Sequence, residues 1–408
     1  MRNMIKKLRV SAVTHASRVQ AQEREQVTFL QELINKSCNH QPYQLTNNFA
    51  FCFLTVCLVL SLANVNAQSS ADSAGSSPNT GTSGWVVRQN LHLSEIPVHD
   101  PWILAYAPTK TYFLYTSNFG HRAGVNRPGT VAYRSKDLVN WEGPLVVFVL
   151  PEGTWASDEP AWAPEVHEYK DAYYLFTTLH SSAKVIAAPP SVWRTTHMRG
   201  TVIAVSQSPE GPFTLLKTDA PVPPADFMTL DGTLYVDRSG QSWMIYAHEW
   251  IQKIDGTMEA VPLAKDLSKA VGPPIYLFKA SDAPWLDEQA SASVRENHYV
   301  TDGPELFRTK GGHLLMLWSS YDNSGYVETV ARSKSDELKG PWEQLQPLVR
   351  GDSGHGMLFH RFDGQLMMVL HRPFNNARAK LYELSDEGDH LRILRERNDL
   401  DGDQVGNR

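Results

Sequence analysis

The sequence predicts an all-β fold, a five-bladed β-propeller. Three observations carry that expectation: five short apolar strands share one kind of ending, a second recurrent unit closes on Gly-Pro, and helical periodicity is nearly absent. The apolar strands are Tyr112 to Ser117, Tyr173 to Thr178, Trp243 to His248, Leu314 to Ser319 and Leu366 to His371. Several follow turn-forming stretches such as Asp237-Arg-Ser-Gly240, Lys310-Gly-Gly312 or Asp363-Gly364, as the second strand of a hairpin should. Downstream of four of them comes a strand with small residues and then Gly-Pro, at Val131 to Pro144, Val202 to Pro212, Val261 to Pro273 and Val330 to Pro341. The two signals recur in fixed order at roughly 50 to 70 residues, room for four strands per unit. A β-sandwich has no reason to repeat such a pair. Only short stretches such as Asp282 to Gln289 suit a helical turn.

Composition narrows the chemistry. The 408 residues carry a formal net charge of -6, so the basic excess that phosphate contacts require is missing and nucleic acid is not an expected partner. Cys38, Cys52 and Cys57 all precede residue 60, which leaves the chain downstream without disulfides, thiolate metal ligands or a thiol nucleophile. Catalysis there must use carboxylates, imidazoles or hydroxyls.

The run from Phe49 to Ala63 is apolar over about 15 residues, shorter than the roughly 20 of a membrane span, and small residues follow it at Val65-Asn66-Ala67. We read it as the core of a secretory signal cleaved after Ala67. An uncleaved anchor is the alternative, because 48 residues precede the run. The expected organisation is an N-terminal extension over 1–67, a Ser/Gly-rich linker over 68–84, a propeller over 85–398 and a polar tail over 399–408, in a secreted or periplasmic monomer with no membrane span after cleavage.

In a propeller the innermost strand of each blade lines a central channel, so one end of each such strand converges on a shared site. Counting back twelve residues from the hairpin strands gives Asp100 before Tyr112, Asp231 before Trp243 and Asp302 before Leu314. The other two blades offer Ala161 beside Trp162, and Gly354 beside His355. Any one of these acids reads as a turn former, since Asp-Pro and Asp-Gly are common in turns. Three at one offset point to a site. Carboxylates crowded on one axis repel, so one should keep its proton, giving a donor and a base at neutral pH, the requirement of glycoside hydrolysis.

These residues resemble glycoside hydrolase family 43. The pieces that carry the resemblance are His99-Asp100-Pro101, Trp162-Ala-Pro-Glu165-Val166 with Tyr173-Tyr-Leu-Phe176, Leu230-Asp231-Gly232, Asp302-Gly-Pro304 and Gly354-His355-Gly356, in that order across Trp85 to Leu394. The resemblance implies a five-bladed propeller and an inverting mechanism. Asp100 would then be the base that activates water, and Asp231 would tune the acid. The acid position, normally a Glu before Gly-Pro or Ala-Pro, holds Asp302, and Glu305 or Glu249 could supply the proton instead. Parity on an extended strand turns Glu305 away from Asp302 unless Gly303-Pro304 makes a bulge.

Other candidates have two readings each. Trp162 and Trp250 are either a stacking floor for a sugar or packing between blades. His248 and His371 close equivalent strands and either contact sugar hydroxyls or satisfy strand ends. Glu165 joins them as a substrate-binding candidate by its place in the motif. His355 either hydrogen-bonds a carboxylate or, as the resemblance allows, binds a structural calcium or sodium ion; no cofactor is required. The expected activity is inverting hydrolysis of furanosides or xylosides in polysaccharides or oligosaccharides, of the arabinofuranosidase, arabinanase, xylosidase or galactofuranosidase type, releasing sugars from chain ends. A retaining fructan-type enzyme is disfavoured because Val98-His-Asp-Pro-Trp102 lacks an Asn-Asp-Pro-Asn segment. The alternative is a sugar-binding propeller impaired in catalysis. Specificity is expected to rest on the loops Ser181 to Gly200 and Ile251 to Glu259.

Overall fold

The structure, a computed structural model, describes residues 87–402 apart from 119–124, 126, 157, 159, 191, 193 and 287–297. The chain divides into the units Met1–Pro78 and Asn79–Arg408, and every described residue belongs to the second. The apolar run with its cleavage site, the three cysteines, the linker over 68–84 and the end of the polar tail lie outside the described residues.

Five antiparallel sheets follow one another along the chain. Blade I has β1 (Arg88–Leu91), β2 (Trp102–Tyr106), β3 (Thr111–Ser117), β4 (Gly129–Ser135) and β5 (Trp141–Val149), with β1 added on the outer edge beside β5. Blade II has β6 (Trp162–Tyr169), β7 (Ala172–Val185), β8 (His197–Ser206) and β9 (Thr214–Leu215). Blade III has β10 (Thr229–Val236), β11 (Ser242–His248), β12 (Thr257–Pro262) and β13 (Ile275–Lys279). Blade IV has β14 (Asp302–Arg308), β15 (Leu314–Asp322), β16 (Gly325–Ser333) and β17 (Trp342–Gln344). Blade V has β18 (Gly354–His360), β19 (Leu366–Arg372), β20 (Arg378–Asp386) and β21 (Leu391–Glu396). The α-helices among the described residues are single turns, α1 (Trp250–Lys253) and α2 (Asn398–Asp401).

The inner strands β2, β6, β10, β14 and β18 touch in a closed ring. Among the described residues no strand is shared between first and last blades. The ring closes instead through the segment ahead of β2, where Val98 N–H donates to Ala377 O at 3.1 Å and Arg378 Nε donates to Ser94 O at 2.8 Å. The second strands are the apolar repeats of the sequence, and they are buried because both faces meet neighbouring blades. Trp318 of β15, for example, lies 5.3 Å from Phe278 of blade III while its indole N–H reaches Gln344 at 3.1 Å. Each such fully buried large side chain contributes about 1.5–3 kcal/mol.

The register corrects one expectation. In β6, β10, β14 and β18 three inner-strand steps oppose two on the partner: Trp162↔Thr178 to Glu165↔Phe176, Leu230↔Ala247 to Thr233↔Ile245, Asp302↔Ser319 to Glu305↔Leu317, and Gly354↔His371 to Met357↔Val369. Inside each of these bulges sits a residue with positive φ: Ala163 at 42°, Asp231 at 54°, Gly303 at 54° and His355 at 56°. Asp100, at 51°, is its counterpart in blade I. Gly303, not Asp302, is therefore the equivalent of Asp100 and Asp231, and Asp302 stands one residue earlier. The twelve-residue count misplaced it because β11 begins at the polar Ser242, one residue before the apolar run that marks the strand. Likewise, much of the expected loop Ser181 to Gly200 is strand, since β7 and β8 pair as far as Val185↔His197.

Candidate functional site

The bulges bring the three aspartates together. Each turns the inner strand so that successive side chains address one end of the channel, where a cavity of about 750 Å³ is lined by Asp100, Asp231, Asp302, Glu249, Trp162 and Trp250, among others. A second hollow, near Tyr106 and Trp141, has its charges already committed: Arg134 bonds both Glu142 and Glu210.

Asp100 sits among three imidazoles. His99 Nδ1 lies 2.9 Å from its Oδ1 and His355 Nδ1 lies 3.1 Å from the same oxygen, while the Asp100 N–H donates to His371 Nδ1 at 3.2 Å. The other nitrogen of His99 faces the Phe374 carbonyl at 3.1 Å. A ring bounded by a carboxylate and a carbonyl must donate from both nitrogens, so His99 is an imidazolium, and its pKa is raised by Asp100 against the pull of burial. His371, which accepts at Nδ1, is neutral, with its pKa held down by burial and by the His99 charge. Burial works against ionisation of Asp100, but His355 and His99 outweigh it and hold the carboxyl below its ordinary range.

The other two acids are shifted the opposite way. Burial first, then the negative charge of Asp100, pushes Asp302 up to about 7, against the hydroxyl that Tyr326 donates to Oδ2 at 3.0 Å. Asp231 is raised well above the carboxylate range by burial and by Asp302 and Asp100, although its Oδ2 accepts the Gly303 N–H at 3.1 Å. Gly303 suits this crowding, since a Cβ there would meet the His355 ring at 3.0 Å. The site thus holds one carboxylate ionised beside two that keep their protons.

Glu249 is the fourth acid on the cavity, 5% exposed. Its Oε1 accepts from Arg199 Nη1 at 2.6 Å, and the guanidinium lies 4.4 Å over the Trp162 ring. Trp162 and Trp250 both reach the cavity, the latter with Arg194 5.0 Å over its ring. Glu305 and Glu165 do not line it. The bulge does turn Glu305 into the channel, but a layer deeper, where its Oε2 accepts the Leu358 N–H at 2.7 Å. Glu165 occupies the matching place in blade II, bonded to His167 at 2.9 Å. His248 is away from the cavity too, held by Glu259 at 3.1 Å and Gln252 at 2.8 Å, a satisfied strand end. His371 is buried behind Asp100. Sequence reasoning missed Arg199 and Tyr326, which stand on third strands just ahead of the recurrent Gly-Pro units and outside any motif, and left His99 without a role.

His99, Asp100 and His371 are the one group of three His or carboxylate ligands among the described residues whose ligand atoms lie within 4.8 Å of one another. As hydrogen-bonded here it offers a metal only part of a ligand set: both nitrogens of His99 donate and Nδ1 of His371 is taken by the Asp100 N–H, which leaves the carboxylate and His371 Nε2, a buried nitrogen without a hydrogen-bond partner. His355 is outside this group, and its Nε2 is buried without a hydrogen-bond partner.

Comparison with known proteins gives consistent findings. Residues 94–400 match the family described as Glycosyl hydrolases family 43. An endo-arabinase of known structure from Bacteroides thetaiotaomicron is 36% identical, with a TM-score of 0.65, over 74% of this chain and 100% of that one. An extracellular exo-α-(1→5)-L-arabinofuranosidase from Cellvibrio japonicus is 24% identical over 68% of this chain and 79% of the relative. An endo-1,4-β-xylanase from B. thetaiotaomicron, 20% identical with a TM-score of 0.56 over 76% of this chain and 96% of that one, shares the fold.

Proposed function

Because the chain belongs to glycosyl hydrolase family 43, and so is a glycoside hydrolase acting on carbohydrate, we propose that it cleaves arabinofuranosyl linkages of arabinan-type polysaccharides with inversion, using Asp100 as base and Asp302 as acid. One observation carries the roles: on a single cavity Asp100 is held ionised by its imidazoles while Asp302 is pushed up to about 7. Asp100 takes a proton from water as the oxygen attacks the anomeric carbon, and Asp302 gives its proton to the departing glycosidic oxygen. The products are a free sugar of inverted configuration and the shortened chain. Asp231, whose Oδ2 accepts the N–H of Gly303 next to Asp302, holds the backbone beside the donor and keeps it aimed.

The sugar is supported by the two relatives named for arabinose substrates. Their names divide over chain-end and internal cleavage, and action from chain ends is the reading adopted here. Export is supported by the apolar run ahead of Ala67 and by the extracellular relative; none of the helices among the described residues is long and apolar enough to cross a membrane. A channel ion would find one donor in His355 Nε2, and no step above passes through it. The protein is taken as a monomer with its catalytic domain over 85–398.

The test is a panel of aryl α-L-arabinofuranosides, β-xylosides and galactofuranosides together with linear arabinan, with product configuration followed by NMR. Turnover of arabinofuranosides with inversion, and arabinose alone from arabinan, is expected. Turnover confined to xylosides would overturn the sugar, and a ladder of oligosaccharides would overturn chain-end action. Binding without turnover, indifferent to Asp100→Asn, would favour a sugar-binding propeller.

A further inference from the structure

Resting on the reading of Asp302 as donor, we propose that Tyr326 is the positioning residue that lets an aspartate serve there: its hydroxyl occupies Asp302 Oδ2 and leaves Oδ1 to carry the transferable proton. Tyr326 is the second residue of β16, the third strand of the same blade, and is 1% exposed. Its hydroxyl reaches Asp302 Oδ2 at 3.0 Å. The phenol stays protonated because burial and the nearby Asp302 charge raise its pKa well above the ordinary value. It is therefore a donor throughout the working range. A carboxylic acid can hold its proton on either oxygen, and a fixed O–H against Oδ2 disfavours that one.

The ring itself is held in place. It stacks on His371 with centroids 5.5 Å apart and planes at 11°, and meets Phe374 edge-on at 5.3 Å. His371 in turn packs on His99, with centroids 4.0 Å apart. Asp100 and Asp302 are thus gripped by the two ends of one stack, His99–His371–Tyr326, so the spacing between base and donor is set by rings rather than by flexible chains. Gly354 makes room for it, since a Cβ there would fall 2.5 Å from the Tyr326 ring. The shorter side chain of Asp302 gives up the reach of a glutamate, and the fixed phenol supplies the aim.

The test compares kcat for an aryl and an alkyl glycoside of the same sugar in Tyr326→Phe, Asp302→Asn and the double variant. Losing the phenol is expected to lower the alkyl rate by roughly 10- to 100-fold while changing the aryl rate little, because only the poor leaving group needs the proton. In the Asp302→Asn background the same change should cost nothing further. Gly354→Ala, which displaces the ring but keeps the phenol, should reproduce the selective loss and covers the case in which Tyr326→Phe folds poorly. An equal loss on both substrates, or an undiminished effect in the Asp302→Asn background, overturns the role of Tyr326. Asp302→Asn without leaving-group selectivity removes the donor assignment, and the proposal with it.

Discussion

His99 and Asp100 are neighbours in the chain and partners in space: Nδ1 of the imidazole lies 2.9 Å from Oδ1 of the carboxylate, while the far nitrogen faces the Phe374 carbonyl at 3.1 Å. The pair makes an ion pair at the channel mouth. Because the base must be ionised to work, its depressed pKa extends activity toward acid pH. His99→Gln removes the charge and lets the Asp100 pKa rise, so the acid limb of kcat/KM should move up by about one unit or more. An unmoved limb would count against this account.

Asp302 sets the other limb. A donor must be protonated, and with a pKa of about 7 it loses its proton as pH rises through that value. The alkaline limb of kcat/KM should therefore fall near pH 7, and Asp302→Asn should abolish that limb along with most activity on poor leaving groups. A pH–rate profile on wild type and variant checks both.

Glu305 lies under the site and not on it. Its pKa is raised well above the ordinary value by burial, so the folded state keeps a proton that the unfolded state loses above about pH 4.3. Stability consequently falls as pH rises from there toward the folded pKa. Glu305→Gln removes this dependence: the variant should match wild type near pH 4 and melt higher at pH 8. Its aryl-to-alkyl rate ratio should stay that of wild type, whereas a change like that of Asp302→Asn would reinstate Glu305 as donor.

Arg199 and Glu249 form a buried pair over Trp162. Arg199→Met leaves Glu249 without its cation, at a cost of about 3–5 kcal/mol at neutral pH. Glu249 would then fold with a further raised pKa, so the deficit should shrink as acid protonates the carboxyl in both states. Denaturant melts at pH 7 and pH 4.5 measure the difference, and an equal deficit at both would contradict it.

The channel acids show how much of the site could be read from the chain. Asp100 and Asp231 were visible because a left-handed bulge position favours Asp, Asn or Gly, which leaves an Asp-Pro or Asp-Gly signature. Asp302 was found through a count that was off by one. It was nonetheless on the site, since the bulge points both of its first residues toward the channel. Glu305 looked equally good in sequence, and only the depth of its layer separates it from Asp302.

What the sequence by itself determined is the repeat, hence five blades, and with it the convergence of the inner-strand ends on one cavity. Those follow from strand periodicity and turn chemistry, which are local. Tertiary structure alone decided that His99 is charged, that His371 lies beneath Asp100, that Arg199 answers Glu249 and that Tyr326 holds Asp302. Tyr326 and Asp302 share a blade but sit on different strands, and His371 reaches Asp100 from the last blade to the first, 271 residues away. Electrostatic shifts depend on distance and burial across that closed ring, and neither quantity is written in residue spacing.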